Sequence, residues 1–115
     1  MIEINGKEYE LVYDINVMCK MAAVGLDVMG DGLERIVESL PNLRKAFYYG
    51  LLHNNKKLTE VQAGNLMTKY FQEGNQISDL MEQVIKELKF GLGIVDDQEE
   101  EEVKETEGKQ SPLDK

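Results

Sequence analysis

Five stretches of the chain between residues 15 and 88 carry apolar side chains at helical spacing, and this pattern constrains the fold more than any other feature. Glycine, proline or a capping residue lies between successive stretches, which predicts separate short helices. The apolar stripes are Ile15, Met18, Cys19 and Ala22; Leu33, Ile36, Val37 and Leu40; Leu43, Phe47, Gly50 and Leu51; Ala63, Leu66, Met67, Tyr70 and Phe71; and Ile77, Leu80, Met81, Val84, Ile85 and Leu88. The sequence therefore predicts about five amphipathic helices around one core.

Capping residues mark where three of these predicted helices begin. Asp14 is a suitable N-cap for the first helix. Asp31 and Glu34 are spaced as a capping box for the second helix. Thr59 and Gln62 have the same spacing before the fourth helix, so we expect two capping boxes in the fold.

The third predicted helix differs from the others because it has no clearly polar face. The stretch from Leu43 to His53 is apolar on nearly every side, which is typical of a helix that other helices surround. Pro41 separates it from the preceding helix. We therefore expect this helix to be central and buried.

A β-hairpin is predicted before the first helix, because Asn5-Gly6 is a strong signal for a short hairpin turn. The register stays open at this point: a two-residue loop would place Ile2 opposite Tyr9, and a four-residue loop would place Ile4 there. An isolated two-stranded hairpin is only marginally stable in water, so this one must pack on the helices or pair with another chain. Its free edges leave self-association as a homo-oligomer open.

Negative charge is concentrated in the last part of the chain. Residues 96–115 contain nine acidic and three basic side chains, and so carry −6 of the net charge of −9. Val103 and Leu113 are the only apolar side chains among them, too few to offset the entropy of ordering the segment. The sequence therefore predicts a mainly α domain over residues 1–95, with an N-terminal hairpin, and a disordered acidic tail over residues 96–115.

The composition argues against several classes of function. A net charge of −9 repels phosphate backbones and anionic membrane surfaces, so direct binding to nucleic acid or to a membrane is not expected. The first residues lack the pattern of a secretory leader. Cys19 is the only cysteine, so an internal disulfide is excluded and a reducing cytoplasm is expected.

Each catalytic or metal-binding arrangement in the sequence has a simpler structural explanation. Residues 27–38 resemble a calcium loop, but Met29 would occupy a ligand position without offering an oxygen. Cys19 and His53 would have to meet as nucleophile and base, although Cys19 lies on a predicted buried stripe and His53 suits a helix end. We therefore expect no enzymatic activity, no metal and no cofactor.

Five of the six methionines divide between predicted core and predicted surface. Met18, Met67 and Met81 fall on the apolar stripes, which favours a core position for each. Met21 and Met29 lie off the stripes. We therefore expect these two at the surface, where methionine can adapt to varied partners.

Four segments of the chain, none of them a catalytic signature, occur in an informative order. They are residues 4–11 (INGKEYEL), residues 14–19 (DINVMC), residues 43–53 (LRKAFYYGLLH) and Leu58-Thr59. In this order the chain resembles the tail assembly chaperones of long-tailed bacteriophages and related prophages. Members of that family have a short strand pair, a helix that begins D-Φ-N, an L-R-x-x-Φ-x-x-G-L helix, and a further helix entered through L-T.

The resemblance implies a non-enzymatic role in building a phage tail. Such proteins bind the long tape measure protein, keep it soluble and bring tail tube subunits to it. Many also exist in a longer form, made by a programmed ribosomal frameshift, whose extension contacts the tail tube protein. We therefore expect a protein of the bacterial host cytoplasm that leaves before the tail is complete and is absent from the mature virion.

This role needs an exposed apolar groove for helical segments of the partner. The side chains predicted to contact the partner are Tyr48, Tyr49, Met67, Tyr70 and Phe71, although all five would also suit the core. The alternative function is an acidic regulator, such as a DNA mimic that occupies a nucleic-acid-binding protein. It ranks lower because most of the excess negative charge lies in the tail instead of on the predicted domain.

Overall fold

The structure, a computed structural model, describes residues 1–94 and shows a mainly helical chain that begins with a hairpin. Its elements are β1 (Ile2–Ile4), β2 (Lys7–Tyr9), α1 (Ile15–Ala23), α2 (Gly32–Glu38), α3 (Leu40–Leu52), α4 (Glu60–Gln72) and α5 (Ile77–Gly91). This architecture confirms the predicted hairpin and five helices. The predicted tail, residues 96–115, lies outside the described residues. None of the helices within residues 1–94 is long and apolar enough to cross a membrane.

The hairpin has the two-residue turn, which settles its register. Asn5 and Gly6 have φ angles of 55° and 78°, the positive values that a type I′ turn requires at both central positions. The pairing is antiparallel and places Ile2 opposite Tyr9. Ile2 and Ile4 point into the core, and β1 lies against α4, so the hairpin is stabilised by helix packing.

Helix α1 turns a different face to the core than its apolar stripe predicts. Met18 and Met21 are buried, so the predicted surface position of Met21 is wrong. The predicted core position of Met18 is confirmed. Three residues of the predicted stripe lie on the exposed side instead, namely Ile15, Cys19 and Ala22.

The physical reason lies at the two ends of α1. Asp14 accepts a 2.8 Å hydrogen bond from the Val17 N–H, which confirms the predicted cap. At the other end, Gly25 has a φ angle of 92°, and this left-handed turn carries Leu26 into the core. The Leu26 N–H donates to the Met21 carbonyl at 2.9 Å. Because α1 is held at both ends, its buried face is set by these attachments and not by hydropathy alone.

The capping box predicted at the start of α2 does not form. Asp31 occupies the N-cap position, but its φ and ψ angles of −99° and 15° differ from the extended backbone that aims a side chain at the helix N–H groups. Its carboxylate instead accepts a 2.9 Å hydrogen bond from Nε of Arg35. The predicted box with Glu34 is therefore wrong.

The break between α2 and α3 lies at Ser39, two residues before Pro41. Ser39 is extended, with φ and ψ angles of −143° and 125°, and α3 already begins at Leu40. Pro41 sits within the first turn of α3, where its missing N–H needs no helical acceptor. The prediction that Pro41 separates the two helices is thus corrected: Ser39 separates them, and Pro41 is the second residue of α3.

Helix α3 is the centre of the fold, as the sequence predicts. It packs against α1, α2, α4 and α5. The side of α3 that faces these neighbours consists of residues that are almost entirely enclosed, namely Leu43, Ala46, Phe47, Gly50 and Leu51. The core of the molecule therefore forms around this helix.

Tyr13 connects the segment after the hairpin to both α3 and α5. Its hydroxyl donates a 2.6 Å hydrogen bond to the Ala46 carbonyl, and its ring lies directly on Gly50. The carbonyl of Tyr13 approaches α5 so closely at Gly91 that a side chain there would collide with it. A 2.9 Å hydrogen bond from the Val12 N–H to the Gly50 carbonyl completes the contact.

The last two helices both begin with a side chain that satisfies a backbone N–H group. The capping box at Thr59 and Gln62 is confirmed, with reciprocal hydrogen bonds of 3.1 and 2.9 Å. At the start of α5 the carboxylate of Asp79 accepts a 2.8 Å hydrogen bond from the Gln76 N–H, while the Asp79 N–H donates to the backbone carbonyl of Gln76. Both helices thus start at defined positions; α4 packs against α3 and β1, and α5 packs against α3 and α2.

Replacing Gly50 with alanine is expected to destabilise the fold. A Cβ atom there would lie 2.5 Å from the ring of Tyr13 and 2.9 Å from a methyl group of Leu11. Contacts this short place the cost of overpacking at the upper end of its range, about 3 kcal/mol, against a gain of only about 1 kcal/mol in helix propensity. Urea denaturation should therefore show a net loss of about 2 kcal/mol in the free energy of unfolding.

Gly30→Ala is the matched control for this prediction. A Cβ atom at Gly30 would meet the Asp27 carbonyl oxygen at 3.7 Å, which is ordinary van der Waals contact. The free energy of unfolding of this variant should change by less than about 0.5 kcal/mol. Equal stabilities of the two variants would contradict the assignment of Gly50 as a close-packing position.

Candidate partner-binding surface

A shallow groove lies between the first turn of α3 and the exposed side of α4. Its volume is about 490 Å³. The groove residues are Leu40, Pro41, Arg44, Val61, Gly64, Asn65, Met67, Thr68 and Phe71. Five of these side chains are apolar, namely Leu40, Pro41, Val61, Met67 and Phe71, so the groove can bind apolar groups of a partner. We call it the α3–α4 groove.

The rim of the α3–α4 groove exposes two aliphatic side chains. Leu40 is 59% exposed and Val61 is 66% exposed, each in the first turn of its helix. Met67 is only 4% exposed and closes the floor, while Phe71 is partly buried against the core. Covering an apolar recess and its apolar rim removes apolar surface from water, so binding of a partner there lowers the free energy.

Gly64 shapes the middle of the groove. A Cβ atom at this position would come within 3.1 Å of Cδ of Arg44. The absence of a side chain on this turn of α4 therefore lets the aliphatic part of Arg44 lie across the helix. The guanidinium reaches Glu60, with 3.4 Å between Nη2 of Arg44 and Oε2 of Glu60.

The five residues predicted to contact a partner do not form a single site. Met67 and Phe71 line the α3–α4 groove, although Met67 is almost fully buried. Tyr70 is 7% exposed and belongs to the core, so its prediction as a contact residue is not supported by its position. Tyr48 and Tyr49 are partly buried on α3 and pack edge to face, with ring centroids 5.1 Å apart, outside the groove.

The electrostatic surroundings of Tyr49 keep its hydroxyl neutral. Burial raises the pKa of the Tyr49 phenol, and the neighbouring Tyr48 and Glu60 raise it further. A neutral hydroxyl can both donate and accept hydrogen bonds. Tyr49 therefore offers a polar contact near the start of α4, beside the groove and not within it.

Sequence reasoning missed the residues that make the groove accessible. The sequence pattern places Leu40 on the apolar stripe of the preceding helix, and Val61 lies off the apolar stripe of α4. A signal was nevertheless present, because Val61 is an apolar residue on the predicted polar side of an amphipathic helix. Such a residue is more informative about a binding surface than a member of the stripe.

The residues considered for catalysis are not assembled into a site. The prediction that Cys19 is buried is wrong, because its side chain is exposed on α1. His53 lies near Asp14 instead, with 3.9 Å between Nδ1 and Oδ2. The carboxylate of Asp27 accepts a 3.0 Å hydrogen bond from the Met29 N–H. Among residues 1–94, no three His, Cys, Asp or Glu side chains are grouped as metal ligands would be.

Comparison with known proteins identifies no relative of this chain. No protein-family model, curated protein or solved structure matches the chain.

Met67→Ala tests whether the floor of the groove is packed into the core, and Met29→Ala is the control at an exposed methionine. Met67 is 4% exposed, whereas Met29 is 82% exposed. Truncation of a buried methionine costs about 2–5 kcal/mol, and truncation at the surface changes stability by less than about 0.5 kcal/mol. Thermal unfolding followed by circular dichroism should show a large fall in the midpoint for Met67→Ala alone. A small effect at Met67 would mean that the floor is not packed into the core.

Proposed function

We propose that this protein is a non-enzymatic tail assembly chaperone of a phage or prophage, which binds helical segments of the tape measure protein and keeps that protein soluble. The observation that carries the proposal is the α3–α4 groove, an apolar recess whose rim exposes Leu40 and Val61. A surface of this kind fits the helix-in-groove mode of peptide recognition.

The motifs that resemble the family support the proposal because each of them has a structural role in this fold. Asn5-Gly6 forms the hairpin turn, Asp14 caps α1, Gly50 receives the Tyr13 ring and Thr59 caps α4. Each of these roles stabilises the fold and none provides chemistry. The resemblance therefore supports the class of fold, and the groove residues support the class of partner.

The size of the groove has a consequence for how a long partner would be covered. A recess of about 490 Å³ accommodates a few side chains of one helical segment and not a whole domain. Many copies of the chaperone would therefore be needed along one tape measure protein. The net charge of −9 favours solubility of such a complex because covered chains repel one another.

The proposal extends to the tail tube and to the place of action. The chaperone would bring tail tube subunits to the covered tape measure protein, with a longer frameshifted form making that contact. It would act in the cytoplasm of the bacterial host and be absent from the finished virion. No metal or cofactor takes part in these steps.

Co-expression with the tape measure protein encoded downstream tests the proposal directly. The full-length chain should co-purify with the tape measure protein and increase its soluble fraction, since it covers apolar segments that otherwise aggregate. The measurements are affinity capture and the ratio of soluble to insoluble tape measure protein. A tape measure protein that remains insoluble and uncaptured would refute the proposed function.

Val61→Asp should weaken this capture without unfolding the chaperone. Val61 lies in the first turn of α4, where a carboxylate suits the helix dipole, and its side chain is 66% exposed. The charge would have to be desolvated when an apolar partner enters the groove, so we expect binding to fall about tenfold or more. Met29→Asp, at an exposed position outside the groove, is the control and should bind as the wild type does.

A further inference from the structure

Arg44 is the charged side chain of the α3–α4 groove in the described part of the chain. Its pairing with Glu60 is loose, because 3.4 Å is long for a charge-assisted hydrogen bond and both side chains are partly exposed. Within residues 1–94, Nε of Arg44 is the one buried side-chain nitrogen or oxygen atom without a hydrogen-bond partner. The guanidinium therefore has unused donors in a largely apolar setting.

The chemistry of a guanidinium determines what could use those donors. Its planar set of N–H groups matches the two oxygens of a carboxylate, and a buried N–H without a partner is unfavourable. Glu60 occupies only the Nη2 end. Because Nε is buried while the side chain as a whole is 42% exposed, a carboxylate that arrives with a partner can pair with the remaining N–H groups if the Arg44 side chain reorients toward the groove.

We propose that the segment bound in the α3–α4 groove is an amphipathic α-helix whose apolar face carries a carboxylate, and that this carboxylate pairs with Arg44. The inference rests on the proposed chaperone function and specifies the chemistry of the partner segment. Leu40 and Val61 contact the apolar side chains of that helix, and Arg44 selects its acidic one. A basic segment would be repelled by Arg44, and a purely apolar segment would leave Arg44 unpaired. The groove would therefore bind acidic amphipathic segments in preference to both.

The geometry of the groove favours a helix of the partner as its occupant. The recess lies between α3 and α4, so a helix placed over it can pack its ridges against both. Apolar side chains spaced three or four residues apart would then reach Leu40, Val61 and Phe71 together.

The acidic tail of the same chain fits the groove poorly. Residues 96–115 supply nine carboxylates, but Val103 and Leu113 are their only apolar side chains and lie ten residues apart. This spacing cannot produce an apolar face that covers Leu40 and Val61 at once. A partner in trans is therefore the better occupant of the groove.

The test uses two synthetic helical peptides of about 20 residues, long enough to hold a helix. Both carry leucines at i, i+4 and i+7, and they differ only in one central residue of the apolar face, glutamate in one and lysine in the other. Fluorescence anisotropy with the full-length chain measures their affinities. The glutamate peptide should bind about tenfold more tightly than the lysine peptide, and the difference should shrink as salt is raised.

Three variants assign the preference to Arg44. Arg44→Glu should reverse the order of the two peptides. Glu60→Gln removes the competing carboxylate and should tighten binding of the glutamate peptide about threefold. Arg35→Glu is the control, because Arg35 is exposed and pairs with Asp31 outside the groove, and it should change neither affinity. Circular dichroism verifies that each variant is folded, and Glu60→Gln decides the question if Arg44→Glu does not fold.

The outcomes separate this inference from the proposed function. Equal affinities, no binding of either peptide, or an unchanged preference in Arg44→Glu would overturn the inference. Tighter binding of both peptides to Arg44→Glu would do so as well, because it would mean that the acidic tail had been displaced from Arg44. If the tape measure protein is captured but the peptides are not distinguished, only the inference fails. If the peptides are distinguished but the tape measure protein is not captured, the proposed function fails.

Discussion

The packing of Tyr13 between α3 and α5 is the interaction on which the remaining contacts depend. Glycine at both Gly50 and Gly91 allows the approach, since a Cβ atom at either position would overlap with Tyr13. Burial raises the pKa of the Tyr13 phenol, with a further contribution from Glu87, so the hydroxyl remains a donor to the Ala46 carbonyl. This single residue therefore fixes the end of the hairpin segment, the start of α1 and the distance between two helices.

The helix that receives Tyr13 also supplies one side of the α3–α4 groove. Its middle and last turns are buried by the surrounding helices, whereas its first turn presents Leu40 and Pro41 at the surface. On the other side, Met67 fixes α4 to the core while Val61 remains outside. The packed centre thus holds the first turns of α3 and α4 apart, each with one exposed aliphatic side chain, and no side chain within residues 1–94 fills the groove between them.

Elements defined by neighbouring residues could be predicted from the sequence, and surfaces defined by distant ones could not. The Asn5-Gly6 turn and the capping box at Thr59 depend on local chemistry, and both are present. The buried face of α1 depends on where its two ends are attached, so the stripe misplaced Met21. The groove depends on the meeting of two helix starts about twenty residues apart in sequence, which a hydrophobic period does not encode.

The small size of the α3–α4 groove is compatible with the proposed chaperone function, which requires release of the partner. Each copy would have limited affinity, because only a few side chains would be desolvated in a recess of this size. Several copies on one long partner would still hold it through multivalency. In the proposed function, a competing assembly would then displace the copies one at a time. Arg44 would restrict this binding to segments with a suitably placed acid, so that weak affinity need not mean weak specificity.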